Sequence, residues 1–248
     1  SWEPAPVLPK RSFLQRVGLV RLLCIVFFMF SLFLAGSFAT LLAVSRANHP
    51  ATAKVSTALG AAKGNATRDR LTDHDGWPEN TTFFYTNGPY HIHNGSSYNM
   101  ALALYQDAEF NNFTLTVAVS QIKLPDSKND TDFFGIVFRA TEDQKHYYLF
   151  EIDPADGDYE FLRYDDQTHW RVIANGILPM LNNGLGKSNT LSIQAKGNTF
   201  LFQVNSKPIG KAISDSSKQP LTSGYMGLYV ENKGAEVAFS HLYVDTLK

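Results

Sequence analysis

The stretch FFGIVFRATEDQKHYYLFEIDPADGDYEFLRY, from Phe133 to Tyr164, decides the fold. Three runs dominated by β-branched and aromatic residues, Phe133–Ala140, His146–Asp153 and Tyr159–Tyr164, are separated by breaks rich in Asp, Gly and Pro. Such runs read as strands joined by tight hairpins. A five-residue loop at Thr141–Lys145 pairs Arg139 with Tyr147, Val137 with Leu149 and Gly135 with Glu151. A turn through Pro154-Ala155-Asp156-Gly157-Asp158 pairs Glu151 with Phe161 and Leu149 with Arg163. Successive side chains point to opposite faces, so Ile136, Phe138, Tyr148, Phe150, Leu162 and Tyr164 fall together and form the core face. The other face carries Arg139, Tyr147, Glu151 and Arg163 among Val137, Leu149 and Phe161. Flat rings beside rigid charged forks suit the C–H faces and hydroxyls of a sugar, and an ordinary solvated sheet face has a similar composition.

The same short alternating pattern continues on both sides. Further candidate strands are Thr82–Tyr85, Tyr90–His93, Tyr98–Tyr105, Phe113–Ile122, Trp170–Ala174, Thr190–Ala195, Thr199–Val204, Gly227–Val230 and Val237–Thr246. No long amphipathic helical period interrupts them, so the expectation is an all-β domain over residues 73–248 built of two packed antiparallel sheets.

Upstream the character changes. Leu22–Val44 is twenty-three residues without a charge, fourteen of them Leu, Ile, Val or Phe. As a helix it would be roughly 35 Å long, enough to span the ~30 Å apolar core of a bilayer. It is also longer than the apolar region of a secretory signal peptide. Lys10, Arg11, Arg16 and Arg21 precede it, while only Arg46 and Lys54 follow closely. The positive-inside rule therefore puts the basic segment 1–21 in the cytoplasm and everything after Arg46 outside, as a single-pass membrane protein. Residues 45–72, rich in Ala, Thr, Ser, Lys, Gly and Asn, read as a flexible linker.

Charge divides along the same line. Residues 1–72 hold nine Lys/Arg against two acids, leaving 13 basic and 21 acidic residues in the rest. That imbalance speaks against nucleic acid as a partner of the exterior part. The one cysteine, Cys24, rules out an intramolecular disulfide or a cysteine-rich zinc site. Five Asn-X-Ser/Thr sequons stand at Asn65, Asn80, Asn94, Asn112 and Asn129; on the bacterial surface that the absence of exterior cysteine favours, they stay bare.

The order Asp75-Gly-Trp77, Gly-Pro-Tyr90-His-Ile92, Phe110-Asn-Asn-Phe113, Gly135-Ile-Val-Phe-Arg139-Ala, His146-Tyr-Tyr-Leu-Phe150, Asn189-Thr-Leu191, Val204-Asn205 and Gly224-Tyr-Met-Gly227-Leu, closing on Val237-Ala-Phe239, resembles the concanavalin A-like jelly-roll modules. It is most similar to the bacterial branch that includes laminin-G-like and 3-keto-disaccharide hydrolase domains. The likeness covers roughly Asp73 to Leu247 and rests on turn glycines and core aromatics. It implies a two-sheet jelly roll with a concave face used to bind carbohydrate, often outside a membrane-spanning segment.

Other motifs point to chemistry less directly. Glu151-Ile-Asp153-Pro-Ala-Asp156 resembles the Glu-X-Asp-X-X-Glu strand of family 16 glycoside hydrolases, but its third acid is the shorter Asp156, in a turn. Gly184-Leu-Gly186-Lys187-Ser188 lacks the first glycine and the following helix of a phosphate loop. His91-Ile-His93 places two imidazoles on one strand face, as a metal site needs. Asp153, Asp156 and Asp158 around Gly157 are where calcium could be held; otherwise no cofactor is implied. The expected function is a membrane-anchored extracellular module that binds or senses carbohydrate through Arg139, Tyr147, Glu151 and Arg163, with no catalytic residue assigned. A surface glycosidase and a structural adhesion domain for protein partners are the alternatives.

Overall fold

The computed structural model describes residues 69–248, apart from 73, 75, 96–99, 128–130 and 167–168. The expected basic segment, membrane-spanning helix and most of the linker lie outside the described residues, as do Asn65 and Asn129. Among the described residues there is no helix, and fourteen strands form two antiparallel sheets.

The first sheet contains β1 (Phe83–Tyr85), β2 (Tyr90–His93), β4 (Phe113–Lys123), β9 (Ser188–Lys196), β10 (Thr199–Val204), β11 (Lys207–Pro208), β12 (Ile213–Ser214) and β14 (Glu236–Thr246), in the order β1-β2-β14-β4-β9-β10-β11, with β12 paired to β10. The second contains β3 (Met100–Phe110), β5 (Phe134–Ala140), β6 (His146–Asp153), β7 (Asp158–Asp165), β8 (His169–Ile177) and β13 (Gly224–Glu231), in the order β3-β13-β5-β6-β7-β8. Each of the twelve expected strands is present. Only the two-residue β11 and β12 had no counterpart in the sequence pattern, being too short to show a period.

Burial alternates strictly along β4, where Phe113, Leu115, Val117 and Val119 point inward. They meet Leu191 and Ile193 of β9, Phe200 and Phe202 of β10, and Val237 and Phe239 of β14. From the six-stranded sheet Ile136, Phe138, Tyr148, Phe150, Phe161, Met226, Leu228 and Val230 close the other side. The rings interlock across the gap: Phe150 stacks on Phe202 at 4.5 Å between centroids, and Phe161 meets Phe200 edge-on at 5.1 Å. Offset and edge-on pairs of this kind add to the burial energy of each ring.

The domain begins earlier than the expected boundary at Asp73. Leu71 is buried in the core, and Arg70 N–H donates to Leu242 O (2.8 Å) while Leu242 N–H donates to Asp69 Oδ1 (2.9 Å). Leu242 is free to do this because β14 carries a bulge between Ser240 and Tyr243, with His241 at φ 55°, which takes Leu242 out of the ladder with β4. Trp77 is likewise structural: it packs between Tyr90 and Tyr105, both at 5.4 Å, and its indole N–H donates to Arg70 O (2.9 Å).

The β5–β6 register is the expected one, with Val137 opposite Leu149 and Gly135 opposite Glu151. The β6–β7 register is shifted by one residue: Glu151 faces Glu160, Phe150 faces Phe161 and Leu149 faces Leu162. The cause lies in the turn. Asp153 pairs with Asp158, leaving a four-residue loop, and the Asp153 carboxylate accepts the N–H groups of Ala155 (2.9 Å) and Asp156 (3.3 Å), with Gly157 at φ 77°. A one-residue slip exchanges faces. Phe161 therefore joins the inter-sheet core, while Leu162 and Tyr164 lie on the outer face, the reverse of the sequence expectation.

Candidate functional site

The outer face of the six-stranded sheet carries a second apolar cluster. Its buried members are Leu104, Val137, Ala140, Tyr147, Leu149, Leu162, Tyr164 and Tyr229, with the half-buried Leu102, Trp170 and Tyr225 packed against them. Every described member comes from the sheet itself. The central strands β5, β6 and β7 supply the floor, and the half-buried residues on β3, β13 and β8 form a rim on either side. Gly135 deepens the floor beside Glu151, since a Cβ there would collide with the backbone of Phe150 and Glu151.

Three rings form one unit on this face. Tyr147 stacks on Tyr164 at 4.8 Å, and Trp170 meets Tyr147 edge-on at 5.9 Å and Tyr164 at 4.6 Å. The Tyr147 hydroxyl is buried and has no hydrogen-bond partner among the described residues. Burial first, then the neighbouring Tyr164 and Glu151, push its pKa upward, so the phenol stays protonated and remains a donor. An unpaired buried hydroxyl costs stability, and one facing a binding surface is satisfied when a ligand supplies an acceptor. Glu151 stands on this face directly opposite Glu160, both about 1% exposed.

Of the four ligand residues expected from the sequence, the structure brings together Tyr147 and Glu151 and turns the two arginines away. Arg139, 1% exposed, sits at a bulge where β5 has one residue more than β13, and its φ of 52° breaks the alternation. Its side chain runs between the sheets. Nη1 donates to Gly197 O (2.6 Å) and Leu221 O (2.7 Å), Nη2 donates to Asn111 O (2.9 Å), and the guanidinium lies 5.3 Å from the Phe200 ring centre. Arg163 faces inward because of the register shift. Its Nη1 donates to Asp215 Oδ2 (3.0 Å), Ser217 Oγ (2.9 Å) and Gln219 O (2.7 Å), and its Nη2 to Asp165 Oδ1 (2.7 Å). Asp215, fully buried, also accepts from Tyr148 Oη and Arg171 Nη2, both at 2.7 Å. Burial alone would raise its pKa; the bonds from Tyr148, Arg171, Ser217 and Arg163 outweigh it and hold the carboxyl well below the usual range.

Glu160, Tyr164 and Trp170 share this face and were not placed on it by the sequence reading. A four-residue turn in place of a five-residue one would have found the first two, and Trp170 follows from its register with Tyr164. The remaining motifs resolve into local structure. Asp153 is occupied by turn N–H groups and by Asp132 N–H (3.2 Å), and Asp156 lies exposed in the turn. His91 Nδ1 and His93 Nδ1 lie 2.8 and 3.8 Å from the two carboxylate oxygens of Glu236. Among the described residues no group of three His, Cys, Asp or Glu is arranged to hold a metal ion.

No protein-family model matches the sequence, and no curated protein matches it. Solved structures do share the fold. The carbohydrate-binding module CBM66 from Bacillus subtilis aligns with a TM-score of 0.57 at 20% identity, covering 69% of this chain and 96% of that one. A Bacillus subtilis protein of unknown function with a galectin-like fold gives 0.55 at 13% identity, covering 71% and 90%. A candidate glycosyl hydrolase from Parabacteroides distasonis gives 0.50 at 14% identity, covering 73% and all of that chain. The described domain thus has a galectin-like jelly-roll fold, as the sequence pattern implied.

Proposed function

We propose that this domain binds carbohydrate on the outer face of its six-stranded sheet, as an exterior module carried by a membrane-spanning segment at residues 22–44. The observation that carries the reading is the Tyr147 hydroxyl, a buried donor without a partner among the described residues, set in a cluster of three aromatic rings. Rings accept the C–H face of a pyranose, and such a donor gives its hydrogen bond to a sugar oxygen. The fold likeness to a carbohydrate-binding module supports it. The ligand set is Tyr147 and Glu151 together with Glu160, Tyr164 and Trp170.

A glycan array probed with the full chain, in a detergent without a sugar headgroup, tests the reading. Tyr147→Phe should then weaken the glycans bound by about fivefold to tenfold, the value of one hydrogen bond, while thermal stability stays level or rises slightly because an unpaired hydroxyl has gone. Loss of stability with unchanged binding would make Tyr147 structural and sink the assignment. The direct opposition of Glu151 and Glu160 favours one second reading, cleavage by paired carboxylates. Release of reducing ends from a bound glycan, abolished in Glu160→Gln, is its signature. For the anchor, protease added to intact cells should remove the domain and leave the basic N-terminal stretch; protection until lysis would reverse the orientation.

A further inference from the structure

The strands of the six-stranded sheet contain only three Lys or Arg residues, Arg139, Arg163 and Arg171. All three are committed away from the outer face: Arg139 to three carbonyl oxygens between the sheets, Arg163 and Arg171 to Asp215. The outer face, by contrast, carries Glu151 opposite Glu160, and the same register continues two pairs on to Asp153 opposite Asp158. Tyr147 and Leu149 stand beside these acids on β6, Leu162 and Tyr164 on β7. The Tyr147 hydroxyl adds a donor that has no partner among the described residues. The strands thus present hydrogen-bond donors and acceptors for hydroxyl groups, aromatic rings for C–H faces, and charge of one sign.

Resting on the carbohydrate reading above, we infer that Glu151 and Glu160 are specificity-determining residues that admit glycans without acidic groups and reject uronate and sulfated ones. An anion brought near a carboxylate in a desolvated floor meets repulsion that bulk water would have screened. At about 6 Å and an effective dielectric constant near 20, one negative charge held by the Glu151–Glu160 pair costs such a ligand on the order of tenfold to a hundredfold in affinity. Like-charge juxtaposition is a common way for a surface to exclude wrong partners. A neutral glycan pays none of this. Its hydroxyls can donate to the glutamates and accept from Tyr147.

The test uses matched pairs on one array: neutral oligosaccharides and the same backbones oxidised at C6 to uronates, probed with the full chain. The neutral member of a bound pair should exceed its uronate by at least tenfold. Glu151→Gln with Glu160→Gln should narrow that ratio about tenfold, because the amide keeps the shape and loses the charge. Should the double variant fail to fold, the same backbones aminated at C6, probed with the unaltered chain, should bind at least as tightly as the neutral members, which a filter by size alone would not allow. Uronates bound as tightly as their neutral partners, a ratio unmoved by the double variant, or C6-amines rejected as the uronates are, would overturn the inference while leaving carbohydrate binding intact. An array on which no glycan of either kind binds removes the carbohydrate reading itself, and this one with it.

Discussion

Arg139 follows Phe138 in a run whose alternation points it away from the core, and on that reading truncating it should cost little. Instead it lies between the sheets and joins the backbone of Asn111, Gly197 and Leu221, in three separate loops. Arg139→Ala would leave these carbonyls without a donor and should destabilise the domain by about 3–5 kcal/mol, as much as Phe150→Ala in the inter-sheet core. Urea unfolding of both variants checks this, and an Arg139→Ala loss below 1 kcal/mol would mean that the guanidinium is solvated. Nothing in the residue types announces the turn inward. A positive φ at Arg139 is not encoded by glycine, and a bulge is set by the partner strand, whose identity as β13 is more than eighty residues distant. Tyr147 and Glu151 were legible because the hairpin before them has a loop whose ends are fixed locally: Thr141 N–H donates to His146 O (2.9 Å), and Asp143 accepts from Thr141 Oγ1 (2.6 Å) and Lys145 N–H (3.1 Å).

Within the β6–β7 hairpin, one carboxylate decides which residues stand on the outer face. Asp153 accepts three backbone N–H groups, those of Ala155, Asp156 and Asp132, and so fixes a loop one residue shorter than composition suggests. Pro-Ala-Asp-Gly-Asp supports either length, since both Asp and Gly tolerate the turn positions. The strands were therefore readable from their β-branched and aromatic runs, while the face each side chain occupies on β7 was not. Asp153→Ala should lower stability by about 1–3 kcal/mol with an unchanged denaturant slope. A decreased slope would show that the hairpin contributes to a looser native state rather than to a fixed register.

Across the whole domain, the two sheets are joined by polar contacts at one end as well as by rings in the middle. Asp215, which follows β12, is held by Tyr148, Arg163 and Arg171 of the opposite sheet. Its carboxyl pKa is lowered in the folded state, so the stability it contributes is fully present above the ordinary aspartate value near 3.9 and is lost as pH falls below it. Asp165, also lowered through Arg163 and His146 once burial is overcome, acts with the same sign. The urea midpoint should decline between about pH 5 and pH 3. Asp215→Asn should flatten much of that decline while costing about 3–5 kcal/mol at pH 7; an equally steep decline in that variant would place the acid sensitivity elsewhere. This network spans residues far apart in sequence, as does the insertion of β13 between β3 and β5 and of β14 between β2 and β4. Local patterning carries the number and type of strands, and has no purchase on which distant strands become neighbours.

The meeting of Arg70 and Asp69 with Leu242 also has a mechanical meaning. Force arriving along the chain before Asp69 would be delivered to the backbone of β14, near the middle of its sheet, through two hydrogen bonds of 2.8 and 2.9 Å. Those two bonds would bear the load ahead of any strand pair, and only after they part could Leu71 and then Trp77 be drawn from the core. A tug too weak to open the sandwich could thus release its first residues and let them close again when the tension falls.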